Sequence, residues 1–143
     1  MDVSKCFNVE GKVAVISGGA GILCSQMAKA IGECGGKVVI LDISEEAMKD
    51  VSKHFTQRNI EHLTIKTDIL DKENLKAAAQ KTLDKFGKVD ILINGAGGNK
   101  TQATTSPDLS FFDLPEDAVK FVFNLNFVGT FLTSQVFGKT YSR

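Results

Sequence analysis

The residues of this chain best suited to chemistry are Ser17-Gly18-Gly19-Ala20-Gly21. An apolar run, Val13-Ala14-Val15-Ile16, leads into them, and an amphipathic stretch begins at Ile22. Glycine at such a junction permits positive φ and lets a ligand approach the backbone closely. A helix starting there offers free N–H groups and a positive dipole end, which suit a pyrophosphate. A second apolar run, Val38-Val39-Ile40-Leu41, ends in Asp42. A carboxylate at that place accepts hydrogen bonds from an adenosine ribose and repels a 2′-phosphate. Together these features predict a dinucleotide, NAD rather than NADP. The competing reading is a tight turn that binds nothing, with Asp42 serving as a cap.

The elements that must position these residues follow from hydrophobic period and punctuation. Strands are predicted over 12–17, 37–42, 61–67 and 89–94. Helices are predicted over 22–34, 45–57 and 72–86, the second capped by Ser44 and the third by Asp71 and stopped by Gly87. In the first helix Ile22, Leu23, Met27, Ala30 and Ile31 share one stripe. A loop over 95–114 precedes a last helix, which starts with Pro115 and runs to about Lys139. That helix is apolar nearly all round, with Val119, Val122, Phe123, Phe127, Phe131, Leu132, Val136 and Phe137, and such a helix is expected to be buried. Strands alternating with helical crossovers predict an α/β fold, a parallel sheet covered on both faces.

Composition narrows the functions. The 143 residues allow one domain, and 17 Lys+Arg balance 17 Asp+Glu. With no basic face or stripe, a nucleic-acid partner is not expected. No apolar stretch is long enough for a membrane span, and the N-terminus lacks a secretory signal. Cys6, Cys24 and Cys34 are odd in number and lack metal-site spacing, so reduced thiols in a cytoplasmic protein are expected. His54 and His62 are expected on the surface, and no metal site is predicted.

Four motifs in order over nearly the whole chain make it similar to the N-terminal part of a short-chain dehydrogenase/reductase. The family's T-G-x-x-x-G-x-G falls on Ser17 to Cys24, and its acidic residue after the second strand on Asp42. Its adenine-contacting Asp falls on Asp68, its N-N-A-G on Asn94-Gly95-Ala96-Gly97, and its N-x-x-G on Asn126-Phe127-Val128-Gly129. The segments Gly-Gly-Ala-Gly-Ile-Leu-Cys-Ser, Ile-Asn-Gly-Ala-Gly-Gly-Asn and Phe-Asn-Leu-Asn-Phe look like the D-mannonate oxidoreductase (fructuronate reductase) branch.

The resemblance implies a Rossmann-type doubly wound sheet, cut short after about four strands and four helices, so that residues 1–143 form the N-terminal part of an NAD(P)-binding domain. It implies NAD held by Ser17, Gly18, Gly19, Gly21, Ile22, Leu23, Asp42, Ile43, Asp68, Ile69, Asn94, Gly95, Ala96 and Gly97. It implies a sugar-acid or polyol substrate, a homo-oligomer, and Asn126 as the catalytic residue that holds a water in the proton relay. Ile22 and Cys24 replace two family glycines, which implies a slightly displaced phosphate path. Gly95 replaces an Asn that would tie the fourth strand to its neighbours.

The family's catalytic Ser and Tyr-x-x-x-Lys have no counterpart within the 143 residues. Tyr141, the single Tyr, has no residue four places on. Ser134 and Ser142 are expected to be surface or packing residues. No turnover is expected of these residues alone. A non-catalytic dinucleotide-binding or protein-interaction domain is the alternative. A response-regulator-like domain is disfavoured because the first strand ends in Ser-Gly-Gly rather than in acidic residues.

Overall fold

A computed structural model of the chain describes residues 7–140. Tyr141, Ser142 and Cys6 lie outside the described residues. Four strands, β1 (Val13–Ser17), β2 (Lys37–Asp42), β3 (His62–Lys66) and β4 (Ile91–Asn94), form one parallel sheet in the order β3-β2-β1-β4. Three helices cross between them: α1 (Ile22–Glu33), α2 (Glu45–Gln57) and α3 (Lys72–Phe86). After a loop with two short 3-10 turns comes α4 (Glu116–Phe123), which passes through a π-helical segment (Asn124–Val128) into α5 (Gly129–Gly138).

Both faces of the sheet are covered, as strands without polar alternation require. On one face Ile16, Val38 and Ile40 pack against Cys24 and Ala28 of α1 and Met48, Val51 and Phe55 of α2. On the other, Val13, Val15, Val39 and Leu41 pack against Leu75 and Ala78 of α3 and Val136 and Phe137 of α5. Successive strand residues point to opposite faces, and this pairing of odd with odd and even with even follows from it.

Local signals set the helix ends. Ser44 Oγ accepts from the Ala47 N–H at 3.2 Å, and Asp71 accepts from the Glu73 and Asn74 N–H groups. Gly87 ends α3 at φ 73°, a left-handed conformation that favours glycine.

Four expectations change. The stripe of α1 carrying Ile22, Leu23 and Met27 faces outward: Ile22 is 87% and Leu23 74% exposed. Small residues face the sheet instead, because they let the helix approach closely. The buried residues of α1 are Cys24, Ser25, Ala28 and Gly32, and at Gly32 the helix meets Ile60 of the turn before β3, where a Cβ would stand 2.6 Å from Cγ2. The last helix is only half buried. Its sheet-facing side holds Gly129, Thr133, Val136 and Phe137, while Phe123, Phe127 and Phe131 are each more than half exposed. Its single apolar neighbour layer covers one side only. It also contains the π segment, which no composition signal announced, and Pro115 sits at its cap rather than in its first turn. Finally, the two histidines are not loose on the surface. His62 Nε2 lies 2.8 Å from Ser52 Oγ and its Nδ1 2.9 Å from the Ile60 carbonyl. His54 Nε2 is 3.4 Å from Glu33 Oε1, with the side chain 21% exposed.

Candidate functional site

Strand register sets the site. Ser17 stands opposite both Leu41 of β2 and Asn94 of β4, so the chain leaves β1, β2 and β4 nearly level at the carboxyl edge of the sheet. The connections from β1 and β4 then run to opposite faces, and a crevice opens between them, where open α/β sheets take ligands. That crevice is a pocket of about 290 Å3. The glycine turn supplies Gly18 and Gly21, and the end of β2 supplies Asp42 and Ile43. Asp68 and Ile69 come from the turn after β3, and Gly95, Ala96 and Gly97 from the turn after β4. Leu41, Thr67 and Leu125 complete it. Leu41 and Thr67 were not foreseen because they read as ordinary strand ends, and Leu125 because it comes from the distant last helix.

Gly18 adopts φ 63°, and a Cβ there would lie 2.7 Å from Ala96 Cα. The β1 and β4 turns therefore touch backbone to backbone, which only glycine allows. Ser17 reinforces the contact. Its buried hydroxyl accepts from the Gly95 N–H at 3.2 Å and the Ala96 N–H at 3.3 Å, and the Gly95 N–H also reaches the Ser17 carbonyl at 3.1 Å. The tie expected from a family Asn is thus made from the other strand.

Helix α1 is the one of the first three helices whose cap residue, Gly21, makes no side-chain hydrogen bond, and its first turn has no acidic residue. Its first N–H groups and positive dipole end stay open to an anion. Asp42 lies beside this turn. Its Oδ2 accepts from the Ala20 N–H at 3.1 Å and its Oδ1 from the Ser44 N–H at 3.0 Å. Each carboxylate oxygen keeps a lone pair for a ligand hydroxyl, and the two bonds fix its orientation. Asp68 is also oriented locally, accepting from the Leu70 N–H at 2.9 Å.

The substituted family glycines do not narrow the pocket. Ile22 turns to solvent, and neither it nor Cys24 lines the cavity. The Cys24 thiol instead points at Gly95, where an added Cβ would overlap the sulfur. The two departures from the family pattern are one exchange: the side chain absent at 95 makes room for the one present at 24.

Other predicted residues stand behind the pocket. Gly19 packs against Ile16 and Ile40, and its N–H reaches the Leu41 carbonyl at 3.3 Å. Leu23 is exposed at the start of α1. Asn94 is turned away, donating from Nδ2 to Ser134 Oγ at 2.9 Å. The Asn126 side chain is fully committed. Its Oδ1 accepts from the Gly98 N–H at 3.1 Å, and its Nδ2 donates to the Gly98 carbonyl at 2.7 Å and to the Val122 carbonyl at 2.8 Å. Three places on, a Cβ at Gly129 would overlap Ile69 Cδ1. The N-x-x-G motif thus clamps the β4 turn with its Asn and admits the β3 turn with its Gly.

Asp90 holds the opposite, amino-terminal edge of β1 and β4. Its Oδ2 accepts from the Val13 N–H at 2.8 Å, and it pairs with Lys88 at 2.9 Å and Lys12 at 3.6 Å. Burial works to raise its pKa, but the Val13 bond and the two lysines outweigh it and hold the carboxyl below its ordinary value.

Comparisons with known proteins agree with this geometry. The family model for short chain dehydrogenases matches residues 12–142. The chain is 44% identical to the uncharacterized oxidoreductase UxuB of Bacillus subtilis, covering 92% of this chain and 50% of that protein. It is 38% identical to an uncharacterized oxidoreductase of Haemophilus influenzae, covering 97% of this chain and 52% of that one. Among solved structures, a Haemophilus influenzae protein described as a candidate D-mannonate oxidoreductase, with bound NAD, superimposes with a TM-score of 0.86 at 36% identity. The match covers 96% of this chain and 53% of that chain. The chain spans about half the length of the curated relatives it matches. With the family model covering nearly all of it and the fold in agreement, the chain belongs to the short-chain dehydrogenase family of oxidoreductases, which bind a nicotinamide dinucleotide.

Proposed function

We propose that residues 1–143 form the dinucleotide-binding part of an NAD-dependent dehydrogenase whose substrate is a sugar acid, with D-fructuronate reduced to D-mannonate as the reaction. The observation that carries the cofactor choice is Asp42, a carboxylate oriented by the Ala20 and Ser44 N–H groups and lining the crevice beside an uncapped helix. The residues fit the dinucleotide. The open α1 turn takes the pyrophosphate, Asp42 the adenosine ribose and Asp68 the adenine, while Gly95 to Gly97 leave the β4 side free of bulk. NADH held there would supply the hydride for a substrate carbonyl carbon, and the proton for its oxygen would come from the family's Tyr-x-x-x-Lys, which residues 1–143 do not include. Asn126 acts here by holding Gly98, and so the wall of the pocket, in place for the relay. These residues alone bind the cofactor without turnover, since they include no Tyr-x-x-x-Lys. We assign the protein to the cytoplasm as a homo-oligomer. The sugar-acid reading is supported by the likeness to the Haemophilus influenzae structure.

Calorimetry with NAD and NADP tests this reading. NAD is expected to bind at least about ten-fold tighter, a difference of about 1.4 kcal/mol, and Asp42→Ala is expected to erase most of that preference. Tighter binding of NADP by the unaltered chain refutes it.

A further inference from the structure

The pocket has one acidic end, at Asp42 and Asp68, and no basic side chain in its lining. A cation, Lys100, follows three residues after pocket-lining Gly97. Gly98, next to pocket-lining Gly97, is held by both amide atoms of Asn126. A Cβ at Gly98 would touch Leu125 Cδ2 at 3.7 Å, and Leu125 lines the pocket. Phe121 lies four residues before Leu125, about one turn earlier in the same helical run. The Lys100 ammonium sits over the Phe121 ring, 4.9 Å from its centroid. Lys100 is therefore tied to the same helical run whose Leu125 lines the pocket. Among the described residues it forms no ion pair with a carboxylate, and its neighbours are fixed. Its own N–H donates to Asn99 Oδ1 at 2.8 Å, and Asn99 Nδ2 donates to Thr104 Oγ1 at 2.9 Å. An aromatic face is a weak partner for an ammonium, so the charge is held in place yet available.

Resting on the dehydrogenase reading above, we propose that Lys100 binds the carboxylate of an acidic sugar at the open end of the pocket, and thereby selects a sugar acid over a neutral polyol. The cofactor's pyrophosphate is the other anion at hand. Its place is at Gly18 to Gly21, at the head of α1, while Lys100 follows the β4 turn. A carboxylate reaching Lys100 puts the rest of a short sugar chain along Gly97 and Leu125, beside the pocket mouth. The charge pair forms between an ammonium and a carboxylate, with no bond made or broken.

Amide NMR of the 143-residue chain tests it, with D-mannonate, D-mannitol and NADH titrated separately. D-mannonate is expected to cause saturable shifts at residues 98–101 and to bind about ten-fold tighter than D-mannitol, as one charge-assisted contact allows. Lys100→Met is expected to abolish the difference and Lys100→Arg to keep it. NADH shifts at residues 18–21 are expected to be the same in all three proteins. Equal response to mannonate and mannitol, no saturable mannonate shifts, or an unchanged response in Lys100→Met overturns the proposal. So does a Lys100→Met chain that loses NADH affinity instead, since the anion is then the cofactor's. Failure of NADH to shift residues 18–21 counts against the dinucleotide reading and is read out separately.

Discussion

Gly95 and Cys24 show how one atom position constrains two residues. Any side chain at 95 would run into the Cys24 sulfur, in a place where Ser17 already ties down the Gly95 and Ala96 N–H groups of the turn after β4. Gly95→Ala is therefore expected to destabilise the chain by about 1–3 kcal/mol, the usual cost of overpacking. Cys24→Gly alone leaves an unfilled space beside β4 and is also destabilising. Combined, the two changes are expected to cost less than their sum, with a coupling of about 0.5–3 kcal/mol. Denaturant unfolding of the two single variants and the double variant measures it. Additive effects would show that the thiol and residue 95 do not share this space. Residue types alone hid this pairing. The turn and the cysteine each looked like a separate departure, and their contact lies across two elements more than 70 positions apart in sequence.

At the scale of elements, β4 is joined to β1 at both ends by side chains rather than by the ladder alone. Ser17 does this at the carboxyl edge and Asp90 at the amino edge. Because the Asp90 carboxyl is held below its ordinary value, its ionised form stabilises the fold. The contribution is fully present above the unfolded pKa, about 4, and is lost as pH falls through the lower folded value. Asp90→Asn is expected to cost about 1 kcal/mol at neutral pH. The gap from the unaltered chain is expected to stay constant above about pH 5 and to close in acid as pH falls through the folded value. Unfolding across that range checks it, and a gap that widens in acid would contradict the assignment. The last helix teaches a related lesson. Its apolar residues on every side implied full burial, yet only the Gly129, Thr133 and Phe137 side meets the sheet. Period and composition report how apolar a face is, while what covers that face is a matter of neighbours.

Across the whole molecule, two surfaces stand out. β4 pairs only with β1 among the described residues, which leaves one row of N–H and C=O groups open to another strand. On the last helix Phe123 and Phe127 stack at 5.0 Å, and Phe131 follows four residues on, all three more than half exposed. Exposed apolar surface of this kind marks an association site. Sedimentation at tens of micromolar is expected to show a dimer or larger species. Replacing Phe123, Phe127 and Phe131 with Ser is expected to shift it toward monomer. A clean monomer for the unaltered chain would reject the homo-oligomer.

By itself the sequence determined the order of strands and helices, the caps at Ser44 and Asp71, the glycine turn and the acidic residue that follows β2. Each of these depends on residues near one another in the chain, where hydrophobic period, capping and φ preference act directly. The tertiary structure decided the rest. It set the small-residue face of α1 against the sheet, tied the Asn126 side chain to the Gly98 backbone, and joined Leu125 to the pocket. It also exchanged a side chain between positions 24 and 95 and brought Lys100 over Phe121. These depend on strand register and on which helix face meets which strand, and long-range packing settles both.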